Sequence, residues 1–150
     1  MPEPSPRKSA VLWIDRILAA AAVLICLAVD VFVWLDISQQ QPVWPLPGLY
    51  LLEIFGFSAA GAYGIYRTSL ADGRFSWLAW AASGVVLGLA LVSAWSIGLL
   101  YLPVWAALLA AGVISARRRR TPVVGLFALH LFAALLQAGL ILWVASQIFR

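Results

Sequence analysis

Polar residues interrupt the long apolar runs of this sequence at four positions where they could do chemistry: Asp30, Glu53, His130 and Gln137. Inside a membrane, a carboxyl or an amide can bind a weakly cationic or lipophilic ligand, and a histidine can relay protons or bind haem iron. We favour structural interpretations: a neutral Glu53 hydrogen-bonded to a neighbouring helix, His130 hydrogen-bonded to Ser83 or a carbonyl, and Asp30 solvated near the surface. These four residues are the ligand-binding candidates of the sequence.

Depth along the helices predicts which of these residues meet. At 1.5 Å per residue, Glu53 and Gln137 each lie roughly 8–9 Å below the outer membrane boundary, with Asp30 slightly shallower. Ser83 and His130 both lie roughly 10–12 Å from the cytoplasmic boundary. We therefore expect one polar layer in the outer leaflet and a second in the inner leaflet.

Catalysis and metal binding are not predicted. The chain contains one histidine and one cysteine, too few for a paired-histidine haem site or a zinc site within a single chain. The sequence shows no Ser/His/Asp, Cys/His or phosphate-cradling arrangement. We therefore expect no enzyme activity, no metal and no cofactor. The arginines flank apolar segments and do not form a nucleic-acid footprint, so nucleic acid is not an expected partner.

The composition predicts an all-α integral membrane protein in contact with the lipid bilayer. Of the 150 residues, 64% are hydrophobic and 11% are charged, whereas ordinary soluble domains are about 45–50% apolar. The charged residues gather at the ends of apolar runs, as expected for helices covered by lipid. The eight tryptophans suit the two membrane interfaces.

The apolar runs predict a compact bundle of five transmembrane helices. We expect a disordered cytoplasmic tail over residues 1–10 and a single membrane domain over residues 11–150, with spans near residues 11–35, 48–66, 75–95, 98–116 and 123–147. Residues 75–116 form one apolar block that would be about 63 Å long as a single helix, roughly twice the bilayer core. The block must therefore reverse, and Trp95-Ser96-Ile97-Gly98 is the predicted reversal. A regular fourth helix is expected only from about Pro103, which leaves open whether that span crosses fully.

Basic residues fall at alternate junctions between the spans, and this pattern predicts the orientation. By the positive-inside rule the N-terminus is cytoplasmic, and an odd number of spans places the C-terminus outside. Short loops and the absence of a targeting segment favour the plasma membrane, specifically a bacterial inner membrane. The run Arg117–Arg120 could also contact anionic lipid headgroups, at about 1 kcal/mol per residue. The orienting residues are Arg7, Lys8, Arg16, Arg67, Arg74, Arg117, Arg118, Arg119 and Arg120.

Small residues at intervals of four predict helix-packing faces. Gly56, Ala60 and Gly64 follow this spacing on the second span, and Gly84 and Gly88 follow it on the third. Whether these faces pack within one chain or between protomers is left open by the sequence.

Packing stripes, short loops and absent catalytic chemistry favour a non-enzymatic membrane protein that works through its neighbours. It would be an accessory or assembly subunit of a membrane complex, or a homo-oligomer. The alternative is a binder, carrier or sensor of a small lipophilic or weakly cationic ligand, held by the outer polar layer of Asp30, Glu53 and Gln137.

Overall fold

The computed structural model of the chain describes residues 6–40, 42, 45–70, 75–94 and 96–148. Within these ranges, the predicted all-α bundle of five helices is confirmed. The elements in chain order are α1 (Pro6–Gln40), α2 (Leu46–Leu70), α3 (Ser76–Val92), a short 3-10 turn (Gly98–Tyr101), α4 (Leu102–Arg119) and α5 (Val123–Ile148).

Four of the described helical segments are long and apolar enough to cross a membrane. They are Trp13–Gln40, Pro47–Thr68, Gly98–Arg119 and Val123–Gln147. The third helix differs, since α3 has 17 residues and is about 25 Å long, against about 30 Å for the bilayer core. The chain is thus a multi-pass membrane protein, and α3 is its short apolar helix.

The first helix is longer than predicted at both ends. It begins at Pro6, although the sequence places residues 6–10 in a disordered tail; residues 1–5 of that tail lie outside the described part of the chain. Proline is tolerated in the first turn of a helix, because its missing N–H has no intrahelical acceptor there. At the other end, Ser38 donates to the carbonyl oxygen of Leu35 at 2.9 Å, and α1 continues to Gln40.

The chain reverses between α3 and α4 as the length of the apolar block requires. The N–H groups of Ser96 and Gly98 both donate to the carbonyl oxygen of Ser93, at 3.0 and 2.8 Å. An added Cβ at Gly98 would lie 2.1 Å from the carbonyl oxygen of Ala90, so only glycine fits this tight turn. Trp95 of the predicted reversal lies outside the described residues, and α4 has Pro103 in its first turn.

The core of the bundle lies around α3. Ten of its 17 residues are buried, and it packs against α2, α4 and α5. An added Cβ at Gly84 would lie 2.2 Å from the carbonyl oxygen of His130, and one at Gly88 would lie 2.5 Å from that of Ala134. The two glycines therefore let the backbone of α5 approach closely, within one chain.

Within one chain, the small residues of α2 do not share one packing face. Gly64 contacts α3, where an added Cβ would lie 3.0 Å from the Cβ of Leu78, but at Gly56 no atom comes within 4 Å. Ala60, between them, is half-buried. The physical reason is the helical period. Residues four apart are rotated by about 40° around the helix axis, so Gly56 and Gly64, eight apart, face directions that differ by about 80°. Gly56 has rotated out of the interface.

Candidate functional site: polar clusters and lipid-facing grooves

Asp30 is held inside the bundle by a tyrosine from another helix. The hydroxyl of Tyr101 donates to Asp30 Oδ1 at 2.6 Å, and the thiol of Cys26, one turn earlier on α1, lies 3.6 Å from Oδ2. Asp30 is only 9% exposed, so the expectation of a solvated carboxyl is wrong. The contact of Tyr101 with Asp30 is not predicted from the sequence, because the 3-10 turn that brings Tyr101 to α1 is not evident from the apolar pattern.

Two further polar side chains, which are not predicted from the sequence, join this cluster. The Tyr50 hydroxyl is hydrogen-bonded to Ser93 Oγ and to the carbonyl oxygen of Leu89. The Tyr50 ring meets the Tyr101 ring edge-on, with centroids 6.4 Å apart. Tyr50 lies three residues before Glu53 and hence on a nearby face of α2. This spacing is the feature of the sequence that could have predicted that Tyr50 also faces the interior.

Glu53 and Gln137 meet, as their calculated depths suggest. Gln137 Nε2 donates to Glu53 Oε1 at 2.8 Å, linking α5 to α2. The side chain passes over α3 at Gly88, where an added Cβ would lie 3.0 Å from the Cβ of Gln137. Of the three residues expected in the outer layer, the structure therefore pairs Glu53 with Gln137 and gives Asp30 different partners.

His130 occupies an enclosed aromatic site on α5. Its Nδ1 lies 2.9 Å from Ser83 Oγ and 3.4 Å from the carbonyl oxygen of Trp80. The rings of Trp80, Trp105 and Phe127 surround the imidazole, with centroid distances of 6.5, 6.4 and 5.9 Å. With 1% exposure, this histidine has the geometry of a structural hydrogen bond between α5 and α3.

The basic residues of three helices gather at one end of the bundle, which we call the basic end. Arg118 Nη1 of α4 lies 3.0 Å from Asp15 Oδ2 of α1, and Arg16 of α1 lies over the ring of Tyr66 on α2, 5.2 Å from its centroid. From the sequence, Arg118 is predicted only to orient the chain and to contact lipid. Its partner was foreseeable, because Asp15 and the arginine run are at the same ends of antiparallel helices.

The four arginines that end α4 have different environments. Arg118 is bound to Asp15, and Arg119 is half-buried. Arg120 has a left-handed backbone, with φ of 54°, and its N–H donates to the carbonyl oxygen of Arg117 at 3.2 Å. Arg117 and Arg120 are exposed and are the two best placed to meet lipid headgroups.

Two open grooves lie along the seam between α1 and α2. The Asp30 groove has a volume of about 350 Å³ and is lined by Leu27, Asp30, Val31, Trp34, Leu35, Gly48, Leu51, Leu52 and Phe55. The Arg16 groove, toward the basic end, has a volume of about 270 Å³ and is lined by Arg16, Ala19, Ala20, Ala62, Tyr63 and Tyr66. Neither lining includes Glu53, Gln137 or His130, so of the four predicted ligand-binding residues Asp30 alone borders one of these two grooves.

Comparison of the chain with protein-family models, curated proteins and solved structures finds no match. Among the residues that the structure describes, no three His, Cys, Asp or Glu side chains are grouped so that they could hold a metal ion. The two grooves differ in the chemical group that they offer to a ligand: the Asp30 groove has a carboxyl and the Arg16 groove has a guanidinium.

Proposed function

We propose that this small polytopic membrane protein works without catalytic chemistry, through neighbouring chains, as an accessory or assembly subunit of a membrane complex or as a homo-oligomer. The observation that carries the proposal is the uncovered face of α5. This helix packs on α3, with a minor contact to α4. On its other side, Gly125 and Gly139 have no atom within 4 Å of an added Cβ.

The uncovered face of α5 is a continuous stripe. At about 100° per residue, Gly125, Ala128, Phe132, Gly139 and Trp143 fall within an arc of about 60°, and all five are exposed. Small residues on a lipid-facing helix allow the backbone of a second helix to approach closely, which is how transmembrane helices gain packing energy. The stripe therefore suits another transmembrane helix, from a second copy or from a partner subunit.

Mild-detergent purification followed by native mass spectrometry tests this proposal. The wild-type protein should appear as a defined oligomer or with stoichiometric partners, and Gly125→Leu with Gly139→Leu should lower the associated fraction several-fold. Gly56→Leu is the matched control, because Gly56 is an exposed glycine with equally open surroundings on α2. A clean monomer for the wild type, or equal losses in both variants, would contradict the proposal.

We further propose that all five helices cross a plasma membrane, of the bacterial inner-membrane type, with the N-terminus in the cytoplasm and the C-terminus outside. Arg16, Arg67 and Arg117 support this orientation, because the fold gathers the ends of α1, α2 and α4 that carry them. At 17 residues, α3 is at the short limit of spanning helices. The other helices enclose it, so it meets little lipid.

A second candidate function is suggested by the Asp30 groove: binding, carriage or sensing of a small lipophilic, weakly cationic ligand. Its walls are apolar, and among the described residues the Asp30 carboxyl is contacted by the hydroxyl of Tyr101 and the thiol of Cys26. The described basic side chains of α1, α2 and α4 lie at the basic end, about 21 Å from Asp30 along α1 when counted from Arg16. A ligand amine would supply the missing positive charge, and its hydrocarbon part would lie along Trp34 and Leu52.

The ligand proposal is tested with dodecylamine as the probe, measured by equilibrium binding to the purified protein in detergent. Asp30→Asn should weaken binding by about tenfold or more, the value of one charge-assisted hydrogen bond. Asp36→Asn is the control, since Asp36 is exposed near the same end of α1 and outside the groove. Equal binding by the wild type and Asp30→Asn would refute the site.

A further inference from the structure

The carboxyl of Asp30 is the hydrogen-bond acceptor that the side chains of the Asp30 groove offer to a ligand. The other lining residues are Gly48, aliphatic and phenyl side chains, and the indole of Trp34, whose N–H donates and does not accept. Although it lines the groove, Asp30 is only 9% exposed. A ligand therefore meets only a small part of this residue, which favours a compact cationic group.

The Asp30 carboxyl is contacted from the interior of the bundle. The hydroxyl of Tyr101 donates to Oδ1 at 2.6 Å, and the thiol of Cys26 lies 3.6 Å from Oδ2. Tyr101 and Cys26 are both fully buried, and neither lines the groove. A ligand in the groove therefore contacts Asp30, while the hydroxyl that holds this carboxyl stays behind it and out of the ligand's reach.

Tyr101 is fixed in place by the reversal between α3 and α4. It ends the 3-10 turn whose first residue, Gly98, donates its N–H to the carbonyl oxygen of Ser93 at 2.8 Å. Its buried ring meets the ring of Tyr50 edge-on, with centroids 6.4 Å apart. The hydroxyl of Tyr101 is therefore held at one point, and through its hydrogen bond it holds one oxygen of the Asp30 carboxyl.

We infer that Tyr101 is a positioning residue of the Asp30 groove, and that the groove selects an ammonium group that carries an N–H over a quaternary ammonium. The inference rests on the proposed binding of a lipophilic amine at Asp30. Because Tyr101 fixes one carboxyl oxygen, the carboxylate keeps one orientation, and a charge-assisted hydrogen bond depends on orientation. A primary ammonium donates such a bond. A trimethylammonium group has no donor, and its methyl groups keep its charge farther from the oxygens, so it gains only a weaker Coulomb attraction.

The test compares dodecylamine with dodecyltrimethylammonium, which have the same chain and the same charge at neutral pH, by equilibrium binding to the full-length protein in nonionic detergent. The wild type should bind dodecylamine about tenfold or more tightly than dodecyltrimethylammonium, the value of a charge-assisted hydrogen bond. Tyr101→Phe should remove most of this preference, because the carboxyl can then rotate, and should change the binding of dodecyltrimethylammonium less than about twofold. Tyr50→Phe is the matched control, because it keeps the ring beside Tyr101 and removes a buried hydroxyl that is bonded to Ser93 and Leu89. It should keep the preference.

The ratio of the two affinities separates positioning from folding. If the Tyr101 hydroxyl only stabilised the bundle, Tyr101→Phe would weaken the binding of both ligands by equal factors, and that result would overturn the positioning role. Equal affinity of the wild type for the two ligands would overturn the selectivity, and this comparison needs no variant to fold. Binding of neither ligand, or unchanged dodecylamine binding in Asp30→Asn, would instead remove the proposed amine site and the inference with it.

Discussion

Replacing Gly84 with alanine should separate α3 from α5. The added methyl carbon would lie 2.2 Å from the carbonyl oxygen of His130 and 3.0 Å from the Cβ of Ala133. A comfortable C···O contact is about 3.3–3.6 Å, so α5 must move by about 1 Å. A gap of that size forfeits roughly a quarter to a half of each dispersion contact along the interface.

The displacement would also stretch the hydrogen bonds that α5 forms with α3 and with α2. The Ser83–His130 bond is 2.9 Å and the Gln137–Glu53 bond is 2.8 Å, so lengthening either by 1 Å breaks it. Such bonds between transmembrane helices contribute about 0.6 kcal/mol on average, and overpacking costs about 1–3 kcal/mol. We expect Gly84→Ala to lower the free energy of unfolding by about 2–4 kcal/mol.

Reversible unfolding in mixed detergent micelles, followed by tryptophan fluorescence, measures this loss. Gly56→Ala is the matched control, because Gly56 also lies in a helix of the same bundle but has no atom within 4 Å of an added Cβ. It should be neutral or slightly stabilising, since alanine favours the helix by about 1 kcal/mol over glycine. Losses that agree within about 0.5 kcal/mol in the two variants would refute the close approach of α5.

Three further predictions concern the orientation, the ion pair and the hairpin. In a variant without the native cysteine, Gln39→Cys should react with an impermeant thiol reagent added outside intact cells. Arg117→Cys should react with it only after the cells are opened. The reverse pattern would overturn the orientation. Arg118→Ala should lower the free energy of unfolding by about 3 kcal/mol, because it leaves a buried carboxyl unpaired. Adding Asp15→Asn to that variant should recover part of the loss. Additive losses in the double-mutant cycle would contradict the pairing. Gly98→Ala should lower the free energy of unfolding by about 1–3 kcal/mol by overpacking, since its Cβ would lie 2.1 Å from a backbone oxygen of α3. An unchanged unfolding midpoint would disprove the tight turn.

The level of a residue along its helix could be predicted from the sequence, because a helix rises by a constant amount per residue. That regularity predicts the contact of Glu53 with Gln137 and the contact of His130 with Ser83, and both are present in the structure. The reversal within residues 75–116 followed from the same arithmetic. These predictions needed only the distance of each residue from the end of its apolar run.

Rotation about each helix axis could not be predicted in this way. Asp30 has Tyr101 as its partner because the 3-10 turn at Gly98–Tyr101 aims that side chain at α1, and a hydropathy pattern does not contain that turn. Gly56 was assigned to a packing face that it leaves by rotation. The two grooves between α1 and α2 depend on both the rotation and the tilt of the pair, so they emerged only with the structure.

The glycine face of α3 has a consequence for the order of assembly. Gly84 and Gly88 are covered by α5, which follows α3 and α4 in the chain. At roughly 5–20 residues per second of synthesis, α3 is made on the order of a few seconds before α5, and until then Gly84 and Gly88 lack their packing partner. A chain whose synthesis stops before α5 would expose this surface of α3 to chaperones and proteases. The close packing of α3 with α5 therefore distinguishes the finished chain from one that lacks α5.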